Sequence, residues 1–106
     1  MKTLKLTLKK QWFDLIKSGV KLEEYREIKP YWQNRLLYWP TDEIRPFSHV
    51  KFTNGYSANS PQITVECKGI WTGSGKPEWG AVKGVTYFVI ELGDVLADIK
   101  AETKQI

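Results

Sequence analysis

The sequence predicts a small α+β protein, a mixed β-barrel of about five or six strands with two short helices, and three observations carry that reading. Apolar side chains alternate with polar ones at Leu4-Leu6-Leu8, Val50-Phe52 and Ile63-Val65-Cys67, the period of two that marks strands with one buried face. Two stretches break that period and carry helical spacing, one at 11–18 and one opening at Pro30, and both lie in the first half of the chain. A third stretch, Tyr87-Phe88-Val89-Ile90, is apolar at every position, as expected of a central strand covered on both sides. Helices confined to the first half argue against a regular β-α-β-α parallel sheet.

In chain order, Leu4, Leu6 and Leu8 alternate with Thr3, Lys5, Thr7 and Lys9 as a first strand. From Gln11 to Ser18, Trp12, Phe13, Leu15 and Ile16 share one helical stripe, a core-facing one, and Gly19 supplies the left-handed residue that ends such a helix. Val20 to Ile28 has strand composition but mixes charge into both faces: Leu22, Glu24, Arg26 and Ile28 on one, Lys21, Glu23, Tyr25 and Glu27 on the other. If Leu22 and Ile28 turn inward, Glu24 and Arg26 must be paired or line a cavity, because an unpaired buried charge costs several kcal/mol. Pro30 suits the first turn of a second helix held by Trp32 and Leu36, which Pro40 stops. Val50 and Phe52 lie on a strand ending at the Asn54-Gly55 turn, with an exposed loop to Pro61. Gly69 marks a bulge after the Ile63-Val65-Cys67 strand. Thr72 to Gly84 reads as a glycine-rich loop, Val85 to Leu92 as the central strand ended by Gly93, and Val95, Leu96 and Ile99 as a last short apolar element.

With 106 residues the chain is one domain, 1–106, of which 100–106 reads as a frayed tail. Five Trp, five Tyr and four Phe provide bulk for a core, so disorder is not the default. The single cysteine, Cys67, excludes an intrachain disulfide, and one Cys with one His cannot build a structural zinc site, so neither metal nor cofactor is expected. No apolar run approaches the roughly 20 residues of a membrane span. Charge every few residues at the N-terminus is unlike a signal peptide, and with the free thiol this points to a cytoplasmic protein. The net charge is +4; residues 1–35 carry nine basic and four acidic side chains and the remainder seven and eight, so the surplus belongs to the first third. Clustered positive charge is a weak pointer to an anionic partner such as nucleic acid, weighed evenly against a solvated lysine face.

Most local constellations carry no chemistry. Gly73-Ser74-Gly75-Lys76 lacks the spacing of a phosphate-binding loop, and Pro77 follows where Ser or Thr is required. Ser48-His49 is read as a chance adjacency and Cys67 as a buried, inert thiol. There remain Lys21, Glu24 and Arg26, with Tyr31, Trp32 and Arg35 close behind. Such cations hold phosphate or polar base edges, and aromatic faces stack bases for about 1–3 kcal/mol each. The competing account is a structural Glu24–Arg26 ion pair with Tyr31 and Trp32 in the core.

Gly19-Val20-Lys21-Leu22-Glu23-Glu24-Tyr25-Arg26 reads GxKxxExR, which resembles the signature of the ASCH domain family, relatives of the PUA RNA-binding domains. The helix ending Leu15-Ile16-Lys17-Ser18-Gly19 precedes the motif as it does in that family. The likeness extends over Phe52-Thr53-Asn54-Gly55-Tyr56, Val65-Glu66-Cys67 and the closing Tyr87-Phe88-Val89-Ile90. The resemblance implies a PUA-like barrel whose two helices flank a cleft into which Lys21, Glu24 and Arg26 project. In an ideal strand Lys21 and Glu24 face opposite sides, so Val20-Lys21 is expected still in the turn after Gly19.

One branch of that family hydrolyses the amide of 4-acetylcytidine with the motif lysine, a threonine at the position of Glu24 and a glutamate from a later loop. Here Lys21 is present, Glu78 is the match for the loop carboxylate, and the threonine is missing, so Lys21 or Glu78 would have to act as a base through water. The leading expectation is therefore an RNA- or nucleotide-binding module. Lys21, Arg26 and Arg35 would contact phosphate or base edges, Tyr31, Trp32 or Trp79 would stack, and Glu24 would hold Arg26 or accept from a base amine. The alternatives are a small amidohydrolase on an acylated cytidine-type nucleoside using Lys21, Glu24 and Glu78, a ribonuclease, and a protein-interaction module without ligand.

Overall fold

The computed structural model describes residues 2–99. Its elements are β1 (Thr3–Thr7), α1 (Lys10–Lys17), β2 (Glu23–Glu27), α2 (Pro30–Leu36), β3 (His49–Thr53), β4 (Gln62–Ser74) and β5 (Thr86–Ile99), with a 3₁₀ turn at Pro77–Trp79. The five strands form one mixed sheet in the order β1-β3-β4-β5-β2. Only β1 and β3 run parallel; the other neighbours are antiparallel. The chain forms the predicted class, a small α+β fold with two helices, its five-stranded mixed sheet curled into a half-barrel.

Alternation puts Leu4 and Leu6 of β1, Val50 and Phe52 of β3, Ile63 and Val65 of β4, and Phe88 and Ile90 of β5 into one core. Phe13 and Ile16 of α1 and Leu36 of α2 close over it. Full burial of each such side chain stabilises by about 1.5–3 kcal/mol. The reverse face of β5 is covered as well: Tyr87 and Val89 pack with Tyr25 and Ala81 in a second, smaller cluster. This two-sided cover explains the unbroken apolar run in β5.

Two sequence expectations change, and one open question is answered. The glycine-rich stretch after Thr72 is partly strand, since Gly73 pairs with Tyr87 and Ser74 with Thr86, which shortens the loop. Gly93 does not end β5, which continues to Ile99. A Cβ at Gly93 would meet the Glu66 side chain, which folds over this position of β5. Leu22 and Ile28 do not turn inward; both are exposed, while Glu24 between them is buried. Register shifts flank Gly69, where the bulge was expected. The tail at 100–106 lies outside the described residues, and among the described residues no helix is long and apolar enough to cross a membrane.

Candidate functional site

The site begins with a turn. Gly19 takes φ +83°, and the backbone N–H groups of Val20 and Lys21 both donate to Leu15 O at 3.0 Å. This doubled-back exit from α1 leaves Lys21 ahead of β2, as the strand geometry required, and turns its side chain inward. Lys21 is 1% exposed. Its Nζ donates to Glu23 O at 2.5 Å and Trp79 O at 2.9 Å and pairs with Glu24 Oε1 at 3.0 Å. Two carbonyls and a carboxylate can only accept, so three acceptors call for three protons and the amine is an ammonium. Burial lowers its pKa from the ordinary lysine value, against the opposing pull of Glu24. The Trp79 carbonyl is delivered by the 3₁₀ turn, which Pro77 opens and Gly80 closes at φ +100°.

Glu24 connects this ammonium to the solvent side. Its Oε2 accepts from Arg26 Nη1, and its side chain is only 8% exposed. Arg26 Nη1 also donates to Tyr25 O at 2.8 Å, and Nη2 to Thr7 O at 3.2 Å. From α2, Arg35 Nη2 donates to Lys5 O at 3.1 Å and Nη1 to the Tyr31 hydroxyl at 3.4 Å. β1 pairs with β3 along one edge only, so these two guanidiniums cap carbonyls on its other edge and bridge the seam where the barrel stays open.

That seam encloses a hollow of about 570 Å³. Lys5, Lys9, Arg26 and Arg35 in its lining outnumber Glu24 and Glu27 by two charges. Six of its seven aromatic rings already have a ring or cation partner. Lys21 Nζ lies 5.3 Å from the centroid of Trp12 and 4.9 Å from that of Tyr25, and Tyr87 is tilted against Tyr25 at 5.7 Å. Arg26 and Arg35 lie over Trp32 at 5.1 and 5.4 Å, and Arg35 is 5.8 Å from Tyr31. Lys76 lies over Trp79 at 5.1 Å. Among the described residues the seventh ring, Tyr56, has neither.

The hollow thus gathers Glu24, Arg26, Tyr31, Trp32, Arg35 and Trp79 of the sequence-predicted set. It leaves out two. Lys21 is sealed behind Glu24 and Trp79 with its donors spent, and cannot touch a ligand as expected. Glu78 is exposed on the 3₁₀ turn and does not line the hollow, so the expected Lys21–Glu78 acid–base pair does not form there. Sequence reasoning missed Lys5, Thr7, Lys9 and Tyr56, and assigned Trp12 to the core although it forms part of the wall. Lys5 and Thr7 showed only as the polar half of an alternating strand, and nothing in that pattern names β1 as the strand opposite the motif. An aromatic beside the Asn54-Gly55 turn was the one signal for Tyr56.

No protein-family model matches the chain, and no curated protein does. Among solved structures it is similar to a crystal structure of a ZmASCH mutant protein from Zymomonas mobilis. The TM-score is 0.59 at 13% sequence identity, over 95% of this chain and 75% of that one. This likeness shows the fold: the chain has an ASCH-domain fold.

Proposed function

We propose that this protein binds RNA or a nucleotide in the hollow between β1, β2 and α2. The observation that carries the reading is the pair of guanidiniums that reach across the seam to β1, Arg26 and Arg35, both over Trp32. A guanidinium has five N–H donors. Arg26 spends three on Glu24, Tyr25 and Thr7, and Arg35 spends two on Lys5 and Tyr31, which leaves two and three respectively for a ligand. Because backbone carbonyls and Trp32 already hold both planes, a phosphate or base edge meets donors whose ordering has been completed by folding. The size is suitable, since small-ligand sites run about 300–1,000 Å³. Glu24, held from both sides, orients Arg26. The ASCH-domain fold and the GxKxxExR resemblance support the same class of ligand.

Nothing favours the hydrolytic alternative: Lys21 has no free donor, Glu24 is engaged at both oxygens, and Glu78 stands outside the hollow. The test of binding is titration of a labelled single-stranded RNA hexamer across a range of salt. Affinity should fall as salt rises, and Arg35→Gln should lower the slope by about one. A protein that binds neither the hexamer nor a free nucleotide, even at low salt, overturns the proposal.

A further inference from the structure

We infer that Tyr56 is the ring on which an unpaired nucleobase stacks when a single-stranded nucleic acid enters the hollow. This rests on the function proposed above and names the part of the ligand that the rim reads. Tyr56 is 94% exposed yet belongs to the lining of the hollow. An aromatic ring that buries almost none of its surface contributes next to nothing to folding. Among the described residues it is also the lining ring whose faces no cation or aromatic neighbour covers, whereas Trp32 and Trp79, two stacking candidates of the sequence, are overlain by cations.

The loop that carries Tyr56 is held in shape. Asn54 N–H donates to Pro61 O at 3.0 Å across the loop's base, and Asn54 Nδ2 donates to Leu8 O at 3.0 Å, tying the loop to a residue of the hollow's own wall. Gly55 takes φ +116°, and a Cβ there would lie 2.7 Å from Ser60 Oγ, the atom that accepts from Ser57 N–H at 3.1 Å. Glycine is therefore required one residue before the tyrosine so that the turn closes and the ring stands at the rim. An aromatic with open faces, carried on a hydrogen-bonded loop and lining the same hollow as two held guanidiniums, is the arrangement that recognises a base attached to a phosphodiester. It selects single strands, because a paired base inside a duplex offers no free face.

The experiment compares wild type, Tyr56→Ala and Tyr56→Phe on two fluorescein-labelled probes: a mixed-sequence single-stranded RNA hexamer, and an abasic hexamer with the same sugars and phosphates. On the base-bearing probe Tyr56→Ala should weaken binding about 5- to 150-fold, the range of one lost base stack. Tyr56→Phe, which keeps the ring, should stay within about twofold of wild type. On the abasic probe wild type and Tyr56→Ala should bind alike. A Tyr56→Ala protein that binds the base-bearing hexamer as wild type does, or that loses affinity equally for both probes, overturns this inference and leaves the proposed function standing. A wild type that binds neither probe at low salt overturns this inference, and the proposed function with it if a free nucleotide fails to bind as well. Melting temperature serves as the folding control, since an exposed substitution should move it by no more than about 3 °C.

Discussion

Two lysine–carboxylate pairs of similar length lie at opposite extremes of this molecule. Lys10 and Asp14 meet at 2.7 Å on the solvent side of α1, with side chains 78% and 51% exposed. Lys21 and Glu24 meet at 3.0 Å beneath the hollow, with side chains 0% and 8% exposed. Length alone would rank the first pair higher. Environment reverses the ranking, because water and salt screen the helix pair while the buried pair lies in a medium where charge must be matched. A buried pair is not thereby a source of stability: desolvating both ions offsets most of their attraction. The lowered pKa of Lys21 says the same, since burial disfavours the proton that Glu24 favours. What the pair does is hold the Glu24 carboxylate where Arg26 is oriented toward the seam. The helix pair holds nothing.

The largest effect is therefore expected from breaking the buried pair on one side. Lys21→Met leaves Glu24 with Arg26 alone and orphans the carbonyls of Glu23 and Trp79, for a loss of about 3 kcal/mol in denaturant unfolding. Removing both charges should cost less than the sum. The Lys21→Met/Glu24→Met double variant should recover at least ~1 kcal/mol over additivity, as contacting partners in a mutant cycle do. Additive losses would mean that the two side chains do not act as a unit. The pH dependence sharpens the contrast. With a folded pKa below the ordinary 10.5, Lys21 binds its proton more weakly folded than unfolded. Its contribution to stability rises with pH in the window below 10.5, and Lys21→Met should abolish that rise.

The sequence revealed the fold because three of the core strands obey one rule: Leu4, Leu6, Val50, Phe52, Ile63 and Val65 alternate and are all buried. It revealed half of the site for the opposite reason. Glu24 and Arg26 break the rule at core-facing positions of β2, opposite Ile90 and Phe88 of β5, and a charge in a core position signals a partner or a cavity. The other half was illegible. Which strand lies across the seam follows from the order β1-β3-β4-β5-β2, and local pattern does not encode strand order, so Lys5, Thr7 and Lys9 looked like ordinary solvent-facing residues. Lys21 misled because residue type suggests exposure: only the double backbone bond to Leu15 O shows that the chain turns the amine inward. Glu78 misled because a loop position says nothing about direction.

A smaller effect is expected one step outward, at Tyr25, whose hydroxyl donates to Glu23 Oε1 at 2.7 Å and accepts from Lys76 N–H at 3.0 Å. Tyr25→Phe removes one bond that ties the β4–β5 loop to β2, from Lys76, and one within β2, to Glu23, and should cost about 1–2 kcal/mol at neutral pH. The phenol pKa is raised well above its ordinary 10.0, chiefly by burial. The folded state therefore keeps its proton where the unfolded state loses it, and this contribution falls as pH climbs above 10, the reverse of the Lys21 slope. The Tyr25→Phe protein should lose stability less steeply than wild type above pH 10. Parallel curves would show that another group governs the alkaline limb.

The smallest effect is expected at the exposed pair, and it is as informative as the largest. Lys10→Ala removes one partner of an i, i+4 pair in the first turn of α1, where a cation gains nothing from the helix dipole. Exposed helix pairs contribute about 0.3–0.5 kcal/mol, and alanine's helix propensity offsets part of that loss. Net change should be under ~0.5 kcal/mol and should vanish in molar salt, whereas the Lys21→Met loss should persist there because screening hardly reaches a pair with so little solvent contact. If added salt erased both losses equally, Lys21 and Glu24 would be interacting through water, and the account of Arg26 as a guanidinium held from within would fail with them.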